Sequence, residues 1–451
     1  IKKIPTIWSP NKSNGLQKEL KAKTILFKNA TLWTNEDLGI IKSADIAISN
    51  GKIVAIGESL DTTQIPNYEN LDLQILDVKG KHLTTGIIDE HSHIAISNGV
   101  NESSQSVTAE VSISDVINPE DHNIFRQIAS GVTCSQLLHG SANPIGGQSA
   151  LIKLRWGKSA EEMKIQNTDG FIKFALGENV KQSNWGSFNT TRFPQTRMGV
   201  EQVFYDAFYR AKDYKKNWEK YNSLSTRQKR ETDPPREDLE LNTLVEILDG
   251  KRHITCHSYV ESEINMLMHV ADSMGFKINT FTHILEGYKV TEKLKKHSAG
   301  ASTFADWWAY KFEVNDAIPY NASILNNAGV VTAINSDDAE MGRRLNQEAA
   351  KAIKYGGTSE EDAWKMVTLN PAKLLRLDNK MGSLKVGKDA DIVIWSGNPL
   401  SIYSKVEQTY IDGICYFDNK EQQLNQERDL KEKMRIINKL SRSKSKSKIK
   451  H

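Results

Sequence analysis

Cysteine is scarce in this chain. The 451 residues include three, Cys134, Cys256 and Cys415, which lie far apart and form no C-x-x-C pair. This spacing excludes a disulfide framework. We expect the three thiols to be small buried apolar groups, although Cys256 directly precedes a predicted metal ligand.

Long apolar runs and a strong charge imbalance are also absent. No stretch of 18 apolar residues occurs, so no membrane span is expected. The 59 basic and 56 acidic side chains give a net charge of +3, which does not call for a nucleic-acid partner. The basic excess lies in residues 441–450, where alternating serine and lysine predict a solvated, disordered tail.

The first residue is Ile1 rather than methionine. We therefore expect an upstream piece to have been removed, either a cleaved signal or the rest of a larger parent chain. These alternatives leave a cytoplasmic and a periplasmic location both open.

What the sequence does contain is a pair of histidines at the end of an apolar run. His91 and His93 follow residues 83–90. Residues i and i+2 of a strand project from the same face, so both imidazoles point to one place where the strand ends. This geometry suits a divalent metal ion, provided that other parts of the chain supply further ligands.

Further candidate ligands also follow strand-like runs. Glu178 follows residues 171–177, His257 follows 253–256, His283 follows 278–282, and Asp337 follows 330–336. Runs at 132–138, 150–154 and 299–303 bring the number of strands between residues 84 and 337 to eight. Strands separated by helix-length segments predict a (β/α)8 TIM barrel, whose chemistry gathers at the C-terminal ends of the strands.

The two chain ends differ from this pattern. Residues 24–80 and 381–418 contain short alternating strands with turn signals, and we predict that they form one composite β-sandwich domain. Residues 81–380 would then be the barrel, and 419–451 a helical segment followed by the basic tail. The amphipathic segment 420–440 could pack on the body or on a second subunit, so a homo-oligomer stays open. A further amphipathic pattern predicts an outer barrel helix over 197–221.

These features resemble the amidohydrolase superfamily, metal-dependent hydrolases built on a distorted (β/α)8 barrel. The strand 1 His-x-His, the strand 4 bridging residue, the histidines of strands 5 and 6 and the strand 8 aspartate match its pattern. The segments 140–148, 175–179 and 335–340 resemble an imidazolonepropionase-like branch. The resemblance extends from about residue 24 to residue 418 and implies hydrolysis of an amide-type C–N bond in a small molecule.

Imidazole and carboxylate ligands suit Zn²⁺, with Mn²⁺ or Fe²⁺ also open. Four histidines and two carboxylates are too many for one tetrahedral ion that must keep an open position, so we predict two ions. One would be held by His91, His93 and Asp337, and the other by His257 and His283. Glu178 would bridge them together with a hydroxide, and Asp337 would act as general base and then general acid.

The strand 4 bridge has a competitor. Many relatives use a carboxylated lysine on this strand, and Lys173 lies on it. At about 3.3 Å per residue, Lys173 lies roughly 16 Å before Glu178, which favours the glutamate.

Substrate contacts are predicted from residues near the strand ends. His139 closes strand 2, and the loop that follows contains Asn143, Gly146 and Gly147, whose glycines allow close approach of a ligand. Tyr259 and Tyr288 follow the strand 5 and strand 6 histidines and could donate to an oxyanion. Cyclic amides, N-acyl amino acids and short dipeptides are all compatible substrates.

Two alternatives differ in function. The first is a ring-amine deaminase on the same fold, although such enzymes usually have a glutamate three residues after the strand 5 histidine, where this chain has Val260. The second is a non-catalytic barrel module of a larger chain. Degenerate barrels usually lose ligands, whereas all six are present here.

Overall fold

The computed structural model describes residues 7–66, 72–181 and 191–448, with side chains described as far as Arg442. The strands are β1 Thr24–Trp33, β2 Ile40–Ser49, β3 Lys52–Gly57, β4 Leu73–Asp77, β5 His82–Thr85, β6 Ile87–Ser92, β7 Val132–Leu137, β8 Ile145–Gln148, β9 Ala150–Lys153, β10 Gly170–Ala175, β11 Arg252–His257, β12 Thr280–His283, β13 Gly300–Thr303, β14 Thr332–Ile334, β15 Ile392–Trp395, β16 Val406–Ile411 and β17 Ile414–Asp418.

The helices lie mainly between strands β6 and β15. They are α1 His122–Ile128, α2 Ala160–Met163, α3 Arg197–Asn222, α4 Thr226–Arg230, α5 Leu239–Leu248, α6 Glu261–Met274, α7 Thr291–His297, α8 Asn321–Asn327, α9 Leu345–Gly356, α10 Glu360–Lys365, α11 Leu369–Leu374 and α12 Asn419–Lys448. None of these helices in the described part of the chain is long and apolar enough to cross a membrane.

Strands from both ends of the chain form one sheet. Its order is β17-β16-β15-β5-β1-β2-β3, and β4 also pairs with β1. The two ends meet where β5 and β15 run antiparallel, with Leu83 opposite Ile394. The described residues thus place eight strands in a single sheet here, and a two-layer sandwich stays a prediction.

The central part of the chain is a mixed α/β fold with two sheets. One has the order β14-β13-β12-β11-β10-β8, and the other has β6-β7-β9. The neighbours from β10 to β14 are parallel, as are β6 and β7. Strand pairing among the described residues does not close a barrel, although the Asp337 N–H beyond β14 donates to the His91 carbonyl on β6 at 3.1 Å.

All eight predicted runs form strands, but one runs the other way. Strand β9, at the predicted run 150–154, is antiparallel to β7, with Cys134 opposite Lys153. Strand β8 precedes it and is antiparallel to β10. Gly146 and Gly147 allow β8 to lie against His139, because a Cβ atom at either would come within 3.0 Å of that ring. The prediction of eight strand-helix units is therefore wrong at β9, which does not run parallel to its neighbour.

Helix α3 covers the outer face of the larger sheet. It corresponds to the helix predicted over 197–221, and its buried residues recur at intervals of three and four, which directs one stripe inward. Phe204 and Phe208 of this stripe contact Phe174 of β10 through their rings, at centroid distances of 5.5 and 6.3 Å. The buried aromatic contacts hold β10 in place below the strand ends.

A buried ion cluster joins the central fold to the end sheet. Lys153 Nζ lies 2.8 Å from Asp389, 3.0 Å from Asp391 and 2.5 Å from Asp412. Arg155 also binds Asp412 at 2.7 Å. Because burying charges is costly unless they are paired, this cluster fixes the two regions against each other.

The C-terminal helix is longer than the sequence predicts. Helix α12 continues to Lys448, through most of the segment for which we predict disorder. Lysine is a good helix former, and the helix has already been nucleated by the preceding turns.

Candidate active site

Three of the predicted ligands converge on Asp337. His91 Nε2 and His93 Nε2 each lie 3.2 Å from Asp337 Oδ1, and His283 Nε2 lies 3.6 Å from Oδ2. Ligand atoms of His91, His283 and Asp337 lie within 4.8 Å of one another, a grouping that could hold a metal ion. His283 and Asp337 have left-handed backbone conformations, with φ of 67° and 52°. Such strain in non-glycine residues is concentrated at functional sites.

The ring of His257 lies beside that of His283. Their ring centroids are 4.8 Å apart. The Nε2 atoms of His257 and His283 are buried and have no hydrogen-bond partner among the described residues. Two orphaned acceptors side by side fit a site that a cation would complete.

The far sides of the imidazoles are held by hydrogen bonds. His93 Nδ1 lies 2.9 Å from the Leu138 carbonyl, His91 Nδ1 lies 3.2 Å from Thr282 Oγ1, and His283 Nδ1 lies 3.2 Å from Asn335 Oδ1. An Nδ1–H donated outward leaves the Nε2 lone pair directed at the cluster, which is the usual arrangement of metal-binding histidines.

Thr282 and Asn335 are functional residues that sequence reasoning missed. The Asn335 amide donates to Thr282 Oγ1 at 3.1 Å and to Ser302 Oγ at 2.8 Å, and Thr282 in turn donates to Glu90 Oε2 at 3.2 Å. The sequence contains a signal for both, since each is a polar residue at a strand end, Thr282 directly before His283 and Asn335 two residues before Asp337. One amide therefore sets the orientation of His283 directly and of His91 through Thr282.

Burial determines the protonation of the imidazoles. It holds the pKa of His91 and His257 well below the ordinary value and lowers the pKa of His283 to about 3. Neutral imidazoles offer lone pairs rather than charge. Several lone pairs facing one carboxylate favour a cation between them, so the residues fit a metal ion.

Lys173 is also part of this cluster. Its Nζ lies 3.2 Å from His91 Nε2, and the side chain is buried. Burial lowers the pKa of Lys173 to about 8. The prediction that Lys173 lies too deep in the strand to reach the site was wrong. Distance along the strand does not include the reach of the lysine side chain, and His91 lies inside β6 rather than beyond its end.

Glu178 lies just beyond β10. It begins the 3-10 helix Glu178–Val180, after Gly177 with φ of 82°. Its N–H donates to Glu313 Oε2 at 2.8 Å, and the buried Glu313 also binds Arg197 at 3.3 Å. The strand 4 end is thereby tied to the segment that follows β13. A bridging role for the Glu178 carboxylate stays a prediction.

Three residues predicted to contact substrate are instead engaged with the protein. His139 Nε2 accepts the Glu102 N–H at 2.8 Å, while Nδ1 contacts the Gly140 carbonyl at 2.8 Å. Gly146 and Gly147 pack against the same ring. These contacts explain the glycines as space for His139, and a substrate role for the three stays untested.

Asn143 and Tyr288 also have protein partners. The Asn143 amide donates to the Glu102 carbonyl at 2.6 Å and to Thr108 Oγ1 at 2.7 Å. Tyr288 Oη donates to the Asp316 carbonyl at 2.9 Å. With its hydroxyl hydrogen used in this way, Tyr288 is less suited than Tyr259 to donate to a substrate.

Tyr259 belongs to an aromatic wall beside the histidines. Its ring lies 4.6 Å from that of His257, and its Oη accepts a hydrogen bond from Tyr310 Oη at 3.0 Å. Phe304 stacks on His283 at 4.5 Å, and Trp307 stacks on Phe304 at 4.2 Å. Since Tyr259 accepts from Tyr310, its own hydroxyl hydrogen is available for another acceptor.

Comparison with known proteins gives a consistent result. The profile of the Amidohydrolase family matches residues 319–415. Amidohydrolase tasK of Hapsidospora irregularis is 31% identical over 436 residues, which cover 88% of this chain and 43% of that protein. The chain thus spans less than half of this relative. The imidazolonepropionase of Thermoplasma volcanium is 22% identical over 384 residues, covering 79% of this chain and 85% of the relative.

A solved structure agrees over most of this chain. The crystal structure of an amidohydrolase from Thermotoga maritima MSB8 has 34% sequence identity and a TM-score of 0.78, and it covers 88% of this chain and 100% of the other. At this identity and coverage the likeness extends beyond fold to family. The chain belongs to the amidohydrolase superfamily, whose members hydrolyse C–N bonds with the help of metal ions.

Proposed function

We propose that the chain hydrolyses an amide-type C–N bond of a small molecule at a site for two divalent ions. The observation that carries this proposal is the convergence of His91, His93 and His283 Nε2 on the Asp337 carboxylate. His91, His93 and Asp337 would hold one ion, and His257 and His283 the other. Zn²⁺ fits the donor set, with Mn²⁺ and Fe²⁺ as alternatives. A closed (β/α)8 barrel around the site is part of the same proposal.

The bound ions would supply a water molecule with a pKa lowered from about 15.7 to about 7 and a Lewis acid for the scissile carbonyl. Asp337 accepts the proton of the attacking water and returns it to the leaving nitrogen. Tyr259, whose hydroxyl hydrogen is not used by Tyr310, donates to the carbonyl oxygen as negative charge develops there. The Tyr259, Phe304 and Trp307 wall keeps water away from one side of the reacting bond.

Two residues, Lys173 and Glu178, are candidates for the strand 4 group that would bridge the two ions. Lys173 is supported by its contact with His91 Nε2 and by its burial. It would act after carboxylation, in which its amine and carbon dioxide form a carbamate and release one proton. Glu178 is supported by its place at the strand end. The contact favours Lys173, and the two residues make different predictions for substitution.

The substrates that fit are cyclic amides, N-acyl amino acids and short dipeptides. A cyclic amide is supported by the likeness to an imidazolonepropionase. The identity with that relative is lower than with tasK, but the match covers 85% of its length. Because the chain spans 43% of tasK, the activity of that whole protein does not transfer to this chain without test.

The proposal is tested by metal removal and reloading. We expect the chelated protein to lose hydrolysis of a panel of lactams, N-acyl amino acids and dipeptides, and to regain it with Zn²⁺, Mn²⁺ or Fe²⁺. Full activity without metal would contradict the proposal. Release of ammonia instead of an amine and a carboxylate would favour a deaminase, and metal binding without turnover of any substrate would favour a non-catalytic module.

A matched pair of variants on β11 tests the ligand set. His257→Gln is expected to lose bound metal and activity. His253→Gln changes a histidine of the same strand that binds Asp169 at 3.2 Å, away from the cluster, and should keep both. Equal metal content in the two variants would contradict the assignment of His257.

A further inference from the structure

The charge of this sequence is divided between its C-terminal segment and the residues that precede it. Residues 428–450 contain ten basic and two acidic side chains, a net charge of +8. The residues before 428 contain 49 basic and 54 acidic side chains, a net charge of −5. The small overall charge therefore conceals a strongly cationic segment, which a balanced composition would not suggest.

Apart from Lys433, the apolar and cationic side chains between Arg428 and Arg442 lie on different faces of α12. Leu430, Met434 and Ile437 stand at intervals of four and three residues and form one stripe. Ile436 and Leu440 widen this stripe. All five are between 44% and 61% exposed. Since exposed large apolar groups in a row mark interaction sites, the stripe indicates a surface that α12 contacts.

The cationic face is opposite. At 100° per residue, Lys431, Arg435 and Lys439 fall together on the side away from Leu430. Lys433 lies within the stripe, between Ile437 and Leu440, and its long side chain can extend from there to lipid phosphates. Arg435 is partly neutralised by Glu432, at 2.6 Å. An apolar face bordered and backed by lysine and arginine is the pattern of helices that lie in a membrane interface.

The base of α12 is fixed to the body. The Gln422 amide donates to Asn14 Oδ1 at 2.9 Å, and the Arg428 guanidinium lies 4.8 Å from the centre of the Trp8 ring. The following residues 433–448 continue the helix for about 24 Å. The apolar stripe is thus presented from a fixed base.

A second copy of the chain is a poorer partner for this face. The four-three spacing stops after Ile437, because Ser441 and Lys444 occupy the next positions. A coiled coil requires apolar spacing over three or four heptads, and this stripe covers less than two. Helix α12 has ten basic and four acidic side chains, and this net charge of +6 would also repel another copy of the same helix.

We propose that α12 binds the surface of an anionic phospholipid bilayer. The stripe from Leu430 to Leu440 enters the boundary between headgroups and acyl chains, and the lysines contact the lipid phosphates and carboxylates. Charge complementarity selects the anionic lipid, and the apolar stripe distinguishes this contact from adsorption to any polyanion. The proposal does not depend on the hydrolytic activity.

The test is sedimentation of the full chain with lipid vesicles. We expect binding to vesicles of phosphatidylcholine with about 30% phosphatidylserine to be at least about tenfold stronger than binding to phosphatidylcholine alone. High salt should weaken it, because surface charges are screened. Equal binding to both vesicles, or binding to neither, would overturn the proposal.

Two sets of variants separate the charge from the stripe. Lys431→Gln, Lys433→Gln and Lys439→Gln together should reduce binding at least about tenfold. The control, Lys212→Gln, Lys216→Gln and Lys220→Gln together, removes the same charge from exposed positions of α3 and should bind like the parent chain. An equal loss in both sets would mean a general charge effect and would overturn the assignment to α12.

The stripe is tested with Met434→Ser, Ile437→Ser and Leu440→Ser together. We expect binding to fall at least about tenfold, with circular dichroism and thermal unfolding of the body unchanged. The conservative pair Ile436→Leu and Ile437→Leu should retain binding. If the serine variant bound vesicles and heparin like the parent chain, α12 would be a polyanion-binding segment and the membrane proposal would be wrong.

Discussion

Two buried lysines show how differently one residue type is used at two places in the central fold, one facing the end sheet and the other facing the candidate active site. Lys153 and Lys173 are each about 1% exposed. Lys153 is surrounded by three aspartates, which raise its pKa although burial opposes this. Lys173 contacts an imidazole, and no carboxylate lies within ion-pair distance of its Nζ in the described part of the chain. Burial therefore lowers its pKa to about 8.

The difference distinguishes a structural role for Lys153 from the functional role proposed for Lys173. A buried ammonium with three carboxylates holds two regions of the chain together and is costly to remove. A buried amine without such partners is not stabilised by its charge, and beside a cluster of imidazoles it is a candidate functional group.

Lys173→Met is expected to have the largest effect, a loss of metal and activity with little change in stability. We expect bound metal and hydrolysis to fall by more than about 100-fold, since even outer groups of metal sites affect affinity by 10–100-fold. The free energy of unfolding of the metal-free protein should change by less than about 1.5 kcal/mol, because the swap roughly conserves volume. Metal analysis and urea unfolding measure the two quantities.

Glu178→Gln is the comparison for this variant. If Lys173 is the strand 4 group, Glu178→Gln keeps its metal. Loss of metal from Glu178→Gln but not from Lys173→Met would reverse the assignment and restore the glutamate bridge.

Lys153→Met should show the reverse behaviour. It leaves the buried Asp391 and the partly buried Asp389 and Asp412 with less compensation, and we expect a loss of about 3–5 kcal/mol in the free energy of unfolding. Metal content of the folded fraction should be unchanged. Lys158→Met provides the surface control, where a loss below about 1 kcal/mol is expected. Similar losses in both variants would contradict the structural role of Lys153.

The pH dependence of stability tests the same cluster. Burial raises the pKa of Asp391 from 3.8 to about 6, so the folded state holds this proton more tightly than the unfolded state. The corresponding stabilisation is present below about pH 4 and is lost as the pH rises through 6. Relative to Asp391→Asn, the parent chain should lose about 2 kcal/mol of unfolding free energy between pH 4 and pH 7. A flat difference between the two unfolding series would contradict this.

The smallest effect is expected for a substitution of Asn335, a change in metal affinity. Asn335→Ala removes the amide that orients His283 and Thr282, and metal affinity should fall by about 10–100-fold. Asn346→Ala is the matched control, because this buried amide donates to the Pro399 carbonyl at 2.7 Å, outside the site. Competition with a chromogenic chelator measures both. Unchanged affinity in Asn335→Ala would show that the imidazoles are held without it.

The ends of the strands were the most predictable part of this molecule. Strand periodicity and the apolar runs located all eight strands, and His91, His93, His283 and Asp337 converge because parallel strands end at one edge. The reversal of β9 was not predictable, since an apolar run of four residues does not encode its direction.

Side-chain reach accounts for the misjudged lysine. The pattern fixes which face of a strand a residue occupies, but not how far a long side chain extends toward a neighbouring strand. Lys173 reaches His91 across the sheet, and Asn335 contacts His283 on another strand. Contacts between residues so far apart in sequence are visible only in the three-dimensional structure.

The left-handed conformations of His283 and Asp337 set a limit on engineering this enzyme. Glycine would adopt those backbone angles without strain, so a search for heat-resistant variants could favour it at both positions. Each exchange would delete a proposed metal ligand. Thermal tolerance and turnover therefore oppose each other at these two residues, and selection for the first alone would yield a durable but inert protein.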